Sequence, residues 1–265
     1  PKNLEFHKFD CCDLQKLNKI MKNVDVVYHC AATAHEGLSV FSPVENTKNN
    51  YLATVSVITA GINNKVKRII YCSSMARYGS QITPFTEDME PRPEDPYGIG
   101  KVAGEDIVLM YHKLYGIDVL VFRYFNVYGK RQPTKGQYAP VIGLFQKMKK
   151  EDIDMTVVGD GKARRDYTHV SDVVRANISA MDSNIKHEFF NVGTENSISI
   201  LDLANVVIDA SGLSLEPIYG PELSGDVRST RADITLIRKL LNWEPKIRLD
   251  DWLTKIISKK DFQDI

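Results

Sequence analysis

The chain has 265 residues, 43% of them apolar and 26% charged, the make-up of a soluble globular protein with room for a sizeable core. Lysine plus arginine and aspartate plus glutamate both number 34, and a net charge of zero argues against a general nucleic-acid binder, which presents a basic field. No apolar run reaches the ~18 residues of a membrane span, and four cysteines without metal-ligand or framework spacing are expected as free thiols in a reducing cytoplasm.

Apolar runs and helical patterns then alternate along the chain. Residues 4–9 (LEFHKF) read as a strand, 14–21 as a short helix, and 24–30 (VDVVYHC) as an apolar run suited to a buried parallel strand. Pro43 opens a long helical pattern that runs to Ile62 and stops at Asn63-Asn64. Residues 68–72 form the next strand, and a polar loop rich in Pro, Asp and Glu covers 79–96. A helix over 97–115 follows, with Gly116 placed to cap its C-terminus. Residues 119–122 are a further β-branched strand. Later helices are expected at 141–150, 171–181, 200–210, 234–241 and 250–257, with short strands at 155–158, 189–192 and 216–219. Such alternation makes an α/β protein with a parallel sheet. The irregular second half predicts a smaller lobe packed on it across a cleft.

One constellation carries chemistry. Tyr97-Gly-Ile-Gly-Lys101 opens a helix directly after Pro96, so Tyr97 and Lys101 share one face, one turn apart. Ahead of them, Cys72-Ser73-Ser74 ends a buried strand, and the C-terminal ends of strands in such sheets are where ligands bind. A phenol ordinarily titrates near about 10. An adjacent ammonium favours its phenolate, which can then take a proton from a substrate hydroxyl while a hydride leaves the same carbon. By itself the tyrosine–lysine pair reads as decoration of a helix start.

In this order, Ser74 and Tyr97-x-x-x-Lys101 resemble the extended short-chain dehydrogenase/reductase family, and more narrowly its NAD-dependent nucleotide-sugar epimerases and dehydratases. Further matches run along the chain. Phe9-Asp10-Cys11-Cys12-Asp13 is similar to an adenine-contacting turn, and Val27-Tyr28-His29-Cys30-Ala31-Ala32 to the V-x-H-x-A-A strand end that lies along the cofactor. Asn50-Tyr51-Leu52-Ala53-Thr54 resembles N-V-x-G-T, with Ala53 in place of Gly. Ser73-Ser74-Met75-Ala76-Arg77-Tyr78-Gly79 resembles S-S-x-x-V-Y-G, with Arg77 in place of Val. Arg123-Tyr124-Phe125-Asn126-Val127-Tyr128-Gly129, Arg165-Asp166-Tyr167-Thr168-His169-Val170, Asn191-Val192-Gly193 and Gly225-Asp226-Val227 continue the pattern.

The resemblance implies a Rossmann-like doubly wound parallel sheet over residues 1–128. It also implies a smaller α/β lobe over 129–265 that binds the nucleotide sugar, with 170–195 returning to the first domain. NAD is the implied cofactor, touching Asp10, Cys11, Cys30, Ala31, Ala32, Asn50, Ser73, Tyr97, Lys101 and Tyr124. Ser74, Tyr97 and Lys101 are the implied catalytic set. A UDP-sugar is the implied substrate, touching Ser74, Asn126, Val158, Arg165, Tyr167, Asp226 and Thr230. Arg165 suits a pyrophosphate through its planar guanidinium, although a surface ion pair with Asp166 would use the same residue. His169 is expected to be structural. No metal, nucleic acid or membrane partner is implied, and a homodimer through the helices at 43–62 and 97–115 is.

Within the family the branches differ beside the serine. The dehydratases carry Asp-Glu there, and the UDP-glucuronate decarboxylases and GDP-mannose dehydratases carry Glu at the position of Ala76. Met75 and Ala76 cannot transfer protons, which leaves the minimal set for a 4-epimerase that works through a transient 4-keto sugar. UDP-glucose and UDP-galactose are the expected pair. Thr230, at the position that gates room beside the sugar's C2 group, is small enough to admit N-acetyl forms. Leu223 replaces an arginine of the epimerases, with Arg228 or Arg231 as stand-ins. A reductase or one-way dehydrogenase of the same family would release NADH, and non-catalytic relatives usually lack the tyrosine or lysine.

The glycine-rich phosphate fingerprint of the family, G-x-x-G-x-x-G, is not found among the 16 glycines. The expectation is that roughly 50 residues, about two βα units, precede the sequence in the intact enzyme. The strand at 4–9 then lacks its neighbour, and the strand at 24–30 has an uncovered edge.

Overall fold

A computed structural model describes residues 3–134, 140–151, 153–212, 214, 216–221 and 227–257. Its centre is a parallel sheet of four strands in the spatial order Val26–His29, Arg68–Ser74, Asp118–Tyr124, His187–Val192. Every residue of Arg68–Ser74 is buried, because helices cover both faces, and this explains why its sequence does not alternate apolar with polar. Alternate residues of each strand feed separate cores. Ile69, Tyr71, Val119 and Val121 pack with Ile58 and Val108 from the helices Ala53–Asn63 and Pro96–Tyr115. Ile70, Leu120, Phe122 and Phe190 pack on the opposite face with Val173, Ala176, Ile237 and Trp243.

The second lobe has its own core. The strands Met155–Val158 and Pro217–Gly220 pair in parallel. The helices Val141–Glu151, Ile200–Ser211 and Leu249–Ile257 close over Phe145, Met155, Val157, Leu203, Val207 and Leu253. Among the described residues no helix is long and apolar enough to cross a membrane.

Several expectations change. Residues 4–9 are not a strand: Leu4 and Phe6 are 72% and 84% exposed, and no described strand lies beside them to complete a ladder. The outer edge of Val26–His29 likewise pairs with no described strand. The helical pattern from Pro43 is divided into Pro43–Thr47, a π turn at Lys48–Leu52 and Ala53–Asn63. A short helix Glu36–Phe41 precedes it. The strand expected at 216–219 pairs one residue later.

The long helix Pro96–Tyr115 forms where local chemistry asks for it. Asp95 accepts from the Gly98 N–H at 2.9 Å, Pro96 opens the first turn, and Gly116 ends the helix in the left-handed region at φ 71°.

Candidate active site

The site lies where neighbouring strands end. Ser74 is the last residue of its strand and the cap of the short 3-10 turn Met75–Tyr78, its hydroxyl accepting from the Ala76 N–H at 3.1 Å. The Asp95 cap sets Tyr97 in the first turn of the long helix and Lys101 one turn further on. Gly104 lets that helix approach the strand, since a Cβ there would stand 2.1 Å from the Tyr71 hydroxyl. Lys101 Nζ donates to the Cys72 carbonyl at 2.6 Å and lies 5.7 Å from the centre of the Tyr97 ring. Tyr97 and Lys101 are buried.

Burial decides how these groups titrate. It pushes the Tyr97 phenol above its ordinary range, against a hydrogen bond with Ser74 that lowers it. It also lowers Lys101 to about 8. The lowering of the phenol expected from the sequence is therefore not met by these residues alone, because desolvation outweighs the influence of the Ser74 hydroxyl.

A ledge of small side chains borders this group. The strand Val26–His29 leads into Cys30, Ala31 and Ala32, all exposed. Buried Asn50 holds the loop that follows, accepting from the Thr33 N–H at 3.1 Å and donating to the Thr33 carbonyl at 3.3 Å and to Asn46 at 2.8 Å. The π turn carries Asn50. Tyr124 and Asn177 exchange hydrogen bonds at 3.1 and 2.8 Å. Farther along, Asp10 accepts from the Cys12 N–H at 2.8 Å and pairs with Lys48 at 3.1 Å, contacts that hold its carboxyl below the usual range. Cys11 packs against the cluster of Leu17 and Met21.

On the other side Asn126, at φ 30°, donates to the Asp166 carbonyl at 2.7 Å and to the Thr230 hydroxyl at 3.2 Å. Asp166 is fully buried and accepts from the Thr194 and Ala232 N–H groups at 2.9 and 3.0 Å. Burial raises it to about 6. It is thus a bridge between chain segments and not a surface partner for Arg165. Arg165 lines a cavity of about 420 Å³ with Arg164, Tyr167 and Thr194.

The matches to known proteins agree with this geometry. Residues 1–193 match the NAD dependent epimerase/dehydratase family. The chain belongs to that family. A UDP-glucose 4-epimerase of Mycolicibacterium smegmatis is 33% identical over 256 residues, covering 96% of this chain and 82% of the relative. The solved UDP-glucose 4-epimerase of Thermotoga maritima with UDP-glucose superposes with a TM-score of 0.91 at 33% identity, over 96% of this chain and 83% of that one. The UDP-N-acetylglucosamine 4-epimerase of Methanobrevibacter ruminantium, in complex with UDP-N-acetylmuramic acid, gives 0.92 at 31% identity, over 97% and 82%.

Of the residues singled out from the sequence, the structure brings Ser74, Tyr97 and Lys101 into one buried group and joins Asn126 to Thr230. Ser73 faces the helix instead of the ledge, its hydroxyl donating to Glu105 at 2.6 Å. Tyr167 sits in the core of the second lobe, edge-on to Tyr128 at 6.4 Å. Val158 is half-buried at the end of its strand. His169 caps the helix Val170–Asp182, its Nδ1 accepting from the Ser171 N–H at 3.2 Å, as expected of a structural residue. Asp226 and Leu223 lie outside the described residues.

Glu105 went unnoticed in the sequence, although it stands one turn beyond Lys101 on the same helix. Its carboxylate accepts from Ser73 and from Arg123 at 3.0 and 2.7 Å, and pairs with Arg77 at 3.2 Å. Arg77 also donates to the Met89 carbonyl at 2.9 Å, so this departure from the family pattern serves as a second cation on Glu105 and a tie to the loop over 79–96. A Glu105→Gln variant leaves two buried guanidiniums on a neutral partner, and urea unfolding should show a loss of about 3–5 kcal/mol. A loss under about 1 kcal/mol, the scale of an exposed ion pair, would contradict this role.

Proposed function

We propose that the chain is an NAD-dependent 4-epimerase of UDP-sugars. One observation carries the reading. Ser74, Tyr97 and Lys101 are buried together, and the residues that follow Ser74, Met75 and Ala76, have no proton to give or take. Elimination or decarboxylation calls for an added acid or base at that place, whereas oxidation and re-reduction of one carbon do not. The epimerase relatives support the same assignment.

The residues fit the nicotinamide and ribose end of a dinucleotide: an exposed ledge of Cys30, Ala31 and Ala32 admits close approach, and Lys101 supplies a cation beside it. Bound NAD supplies a hydride acceptor that also returns the hydride, and in its oxidised form a positive charge. Tyr97 takes the proton from the sugar O4 and gives it back, and the Ser74 hydroxyl, whose influence favours the Tyr97 phenolate, steadies the same oxygen. Because burial holds the phenol in its neutral form, Tyr97 becomes a base only where positive charge is close. Lys101 contributes that charge below about pH 8 and loses it above. Asn126 and Thr230 frame the sugar, and the small Thr230 leaves room for an acetamido group.

Assays with UDP-glucose and UDP-N-acetylglucosamine test these assignments together. Tyr97→Phe should lower turnover of both roughly 10²–10⁴-fold, the usual worth of a general acid–base group. Thr230→Tyr should lose the acetamido sugar selectively. Wild-type turnover should fall as pH rises through about 8. Retained activity in Tyr97→Phe overturns the assignment, full acetamido activity in Thr230→Tyr overturns the gate, and net accumulation of NADH marks a one-way oxidation instead.

The reading includes a homodimer. Ile99, Met110 and Leu114 form an exposed apolar stripe on the helix Pro96–Tyr115, and Val44 and Leu52 are exposed on the neighbouring helical stretch. Sedimentation equilibrium should return twice the chain mass. The mass of a single chain contradicts the dimer.

A further inference from the structure

Cys30 and Cys72 stand side by side at the ends of neighbouring strands. Parallel pairing sets His29 beside Tyr71, so the next residue on each strand, Cys30 and Cys72, projects toward the same face. That face is the one bearing Tyr124 and Asn177: the Cys72 sulfur lies 3.4 Å from the Tyr124 hydroxyl. The two sulfurs are 3.3 Å apart. Cys72 is buried and Cys30 is exposed on the ledge. Adjacent strands run about 4.8 Å apart, inside the range of roughly 4.4–6.8 Å between Cα atoms that a disulfide spans, and a bond would draw the sulfurs in to about 2.05 Å. The other cysteines are engaged elsewhere. Cys12 donates to the Lys48 carbonyl at 3.4 Å, and Cys11 sits against Leu17 and Met21. Proton transfer by Tyr97 uses neither member of the Cys30–Cys72 pair.

We propose that Cys30 and Cys72 are a reversible redox pair, which a peroxide converts to a disulfide that closes the cofactor ledge. The Cys30 thiolate attacks one peroxide oxygen, becoming a sulfenic acid, and the other oxygen leaves as water after taking a proton. The Cys72 sulfur then attacks the Cys30 sulfur. The S–O bond breaks, an S–S bond forms, and the departing hydroxide carries the Cys72 proton away as a second water. Two thiols have lost two electrons, and one peroxide has become two waters. A dithiol reverses the bond by exchange. The pair is set up for this order of events. The hydrogen bond with Cys72 and the charge of Lys101 lower the Cys30 thiol, enlarging the thiolate fraction at the more exposed residue of the pair. Donation to Cys30 together with burial raises Cys72, the resolving partner.

The bond would act on the site at two points. It fixes Cys30, the first residue of the ledge, against the sheet, and it withdraws the Cys72 sulfur from the Tyr124 hydroxyl. Cys72 also supplies the carbonyl that holds Lys101. The effect on turnover rests on the epimerase reading, while the cross-link itself does not, so the two can fail separately.

The test uses the whole reduced chain, hydrogen peroxide as the probe, and alkylation followed by mass spectrometry under non-reducing conditions. The expected product has lost two hydrogens and two alkylatable thiols, yields a cross-linked peptide joining Cys30 to Cys72, and reverts with dithiothreitol. A Cys11→Ser, Cys12→Ser variant should form the same cross-link, and Cys30→Ser should form none. In the epimerase assay the oxidised chain should lose most of its turnover and recover it on reduction. Cys30→Ser, compared with its own untreated sample, should lose none under the same peroxide. Both cysteines still alkylatable after peroxide, or a cross-link confined to Cys11 and Cys12, overturns the proposal. A 30–72 cross-link with unchanged turnover overturns the closure of the ledge. A reduced chain without epimerase activity that still forms the cross-link overturns the proposed function and leaves the redox pair standing.

Discussion

A carboxylate buried as deeply as Glu105 persists only if its charge is answered on the spot, because the cost of leaving water is several kcal/mol for a single ion. Glu105 is answered from several directions at once. Ser73 comes from the strand before the site, Arg123 from the next strand, and Arg77 from the 3-10 turn that follows Ser74. Arg123 extends the contact to Tyr78 at 3.0 Å and to the Glu87 carbonyl at 2.8 Å, and Tyr78 reaches Asn191 on the fourth strand at 2.7 Å. The helix that bears Glu105 bears Tyr97 and Lys101 too. One network therefore fixes how the helix sits on the sheet, and with it where the phenol and the ammonium meet the end of the Ser74 strand.

The same burial that gives the site a defined geometry works against its chemistry in the resting state. Desolvation favours neutral Tyr97 and weakens the hold of Lys101 on its proton. A tyrosine that stays neutral until positive charge arrives is a poor base in the free protein and a good one once the site is filled. In the proposed reaction that coupling would restrain proton transfer when there is no partner for the hydride, and it needs no moving part. Cys30 and Cys72 stand at the same border between dry interior and open ledge, where one residue is exposed and the other buried.

Much of the site was legible because its signals are local. Pro96 and Gly116 mark both ends of the long helix, and the spacing of Tyr97 from Lys101 is a property of any helix. The strand Met155–Val158 forms over the residues its pattern predicts. Features that depend on a distant partner were not legible in this way. Residues 4–9 have strand-like residues, yet a strand exists only as one side of a ladder. The π turn at Lys48–Leu52 shifts the hydrogen-bond register in a way no periodicity announces, and it carries Asn50. Glu105 reads as one more helix charge until Arg123 and Arg77 fold against it. Asp166 reads as a neighbour for Arg165 until Thr194 and Ala232 supply its donors. The closeness of Cys30 and Cys72, distant in sequence, follows from strand register alone.

The most direct measurement follows the hydrogen on C4 of the sugar. Given UDP-glucose carrying deuterium at C4, the protein should form UDP-galactose with the deuterium still on C4 and with no NADH accumulating, since the hydrogen leaves and returns within one enclosed site. Loss of the label to water, or consumption of the sugar with matching release of NADH, would contradict a 4-epimerase built on Ser74, Tyr97 and Lys101.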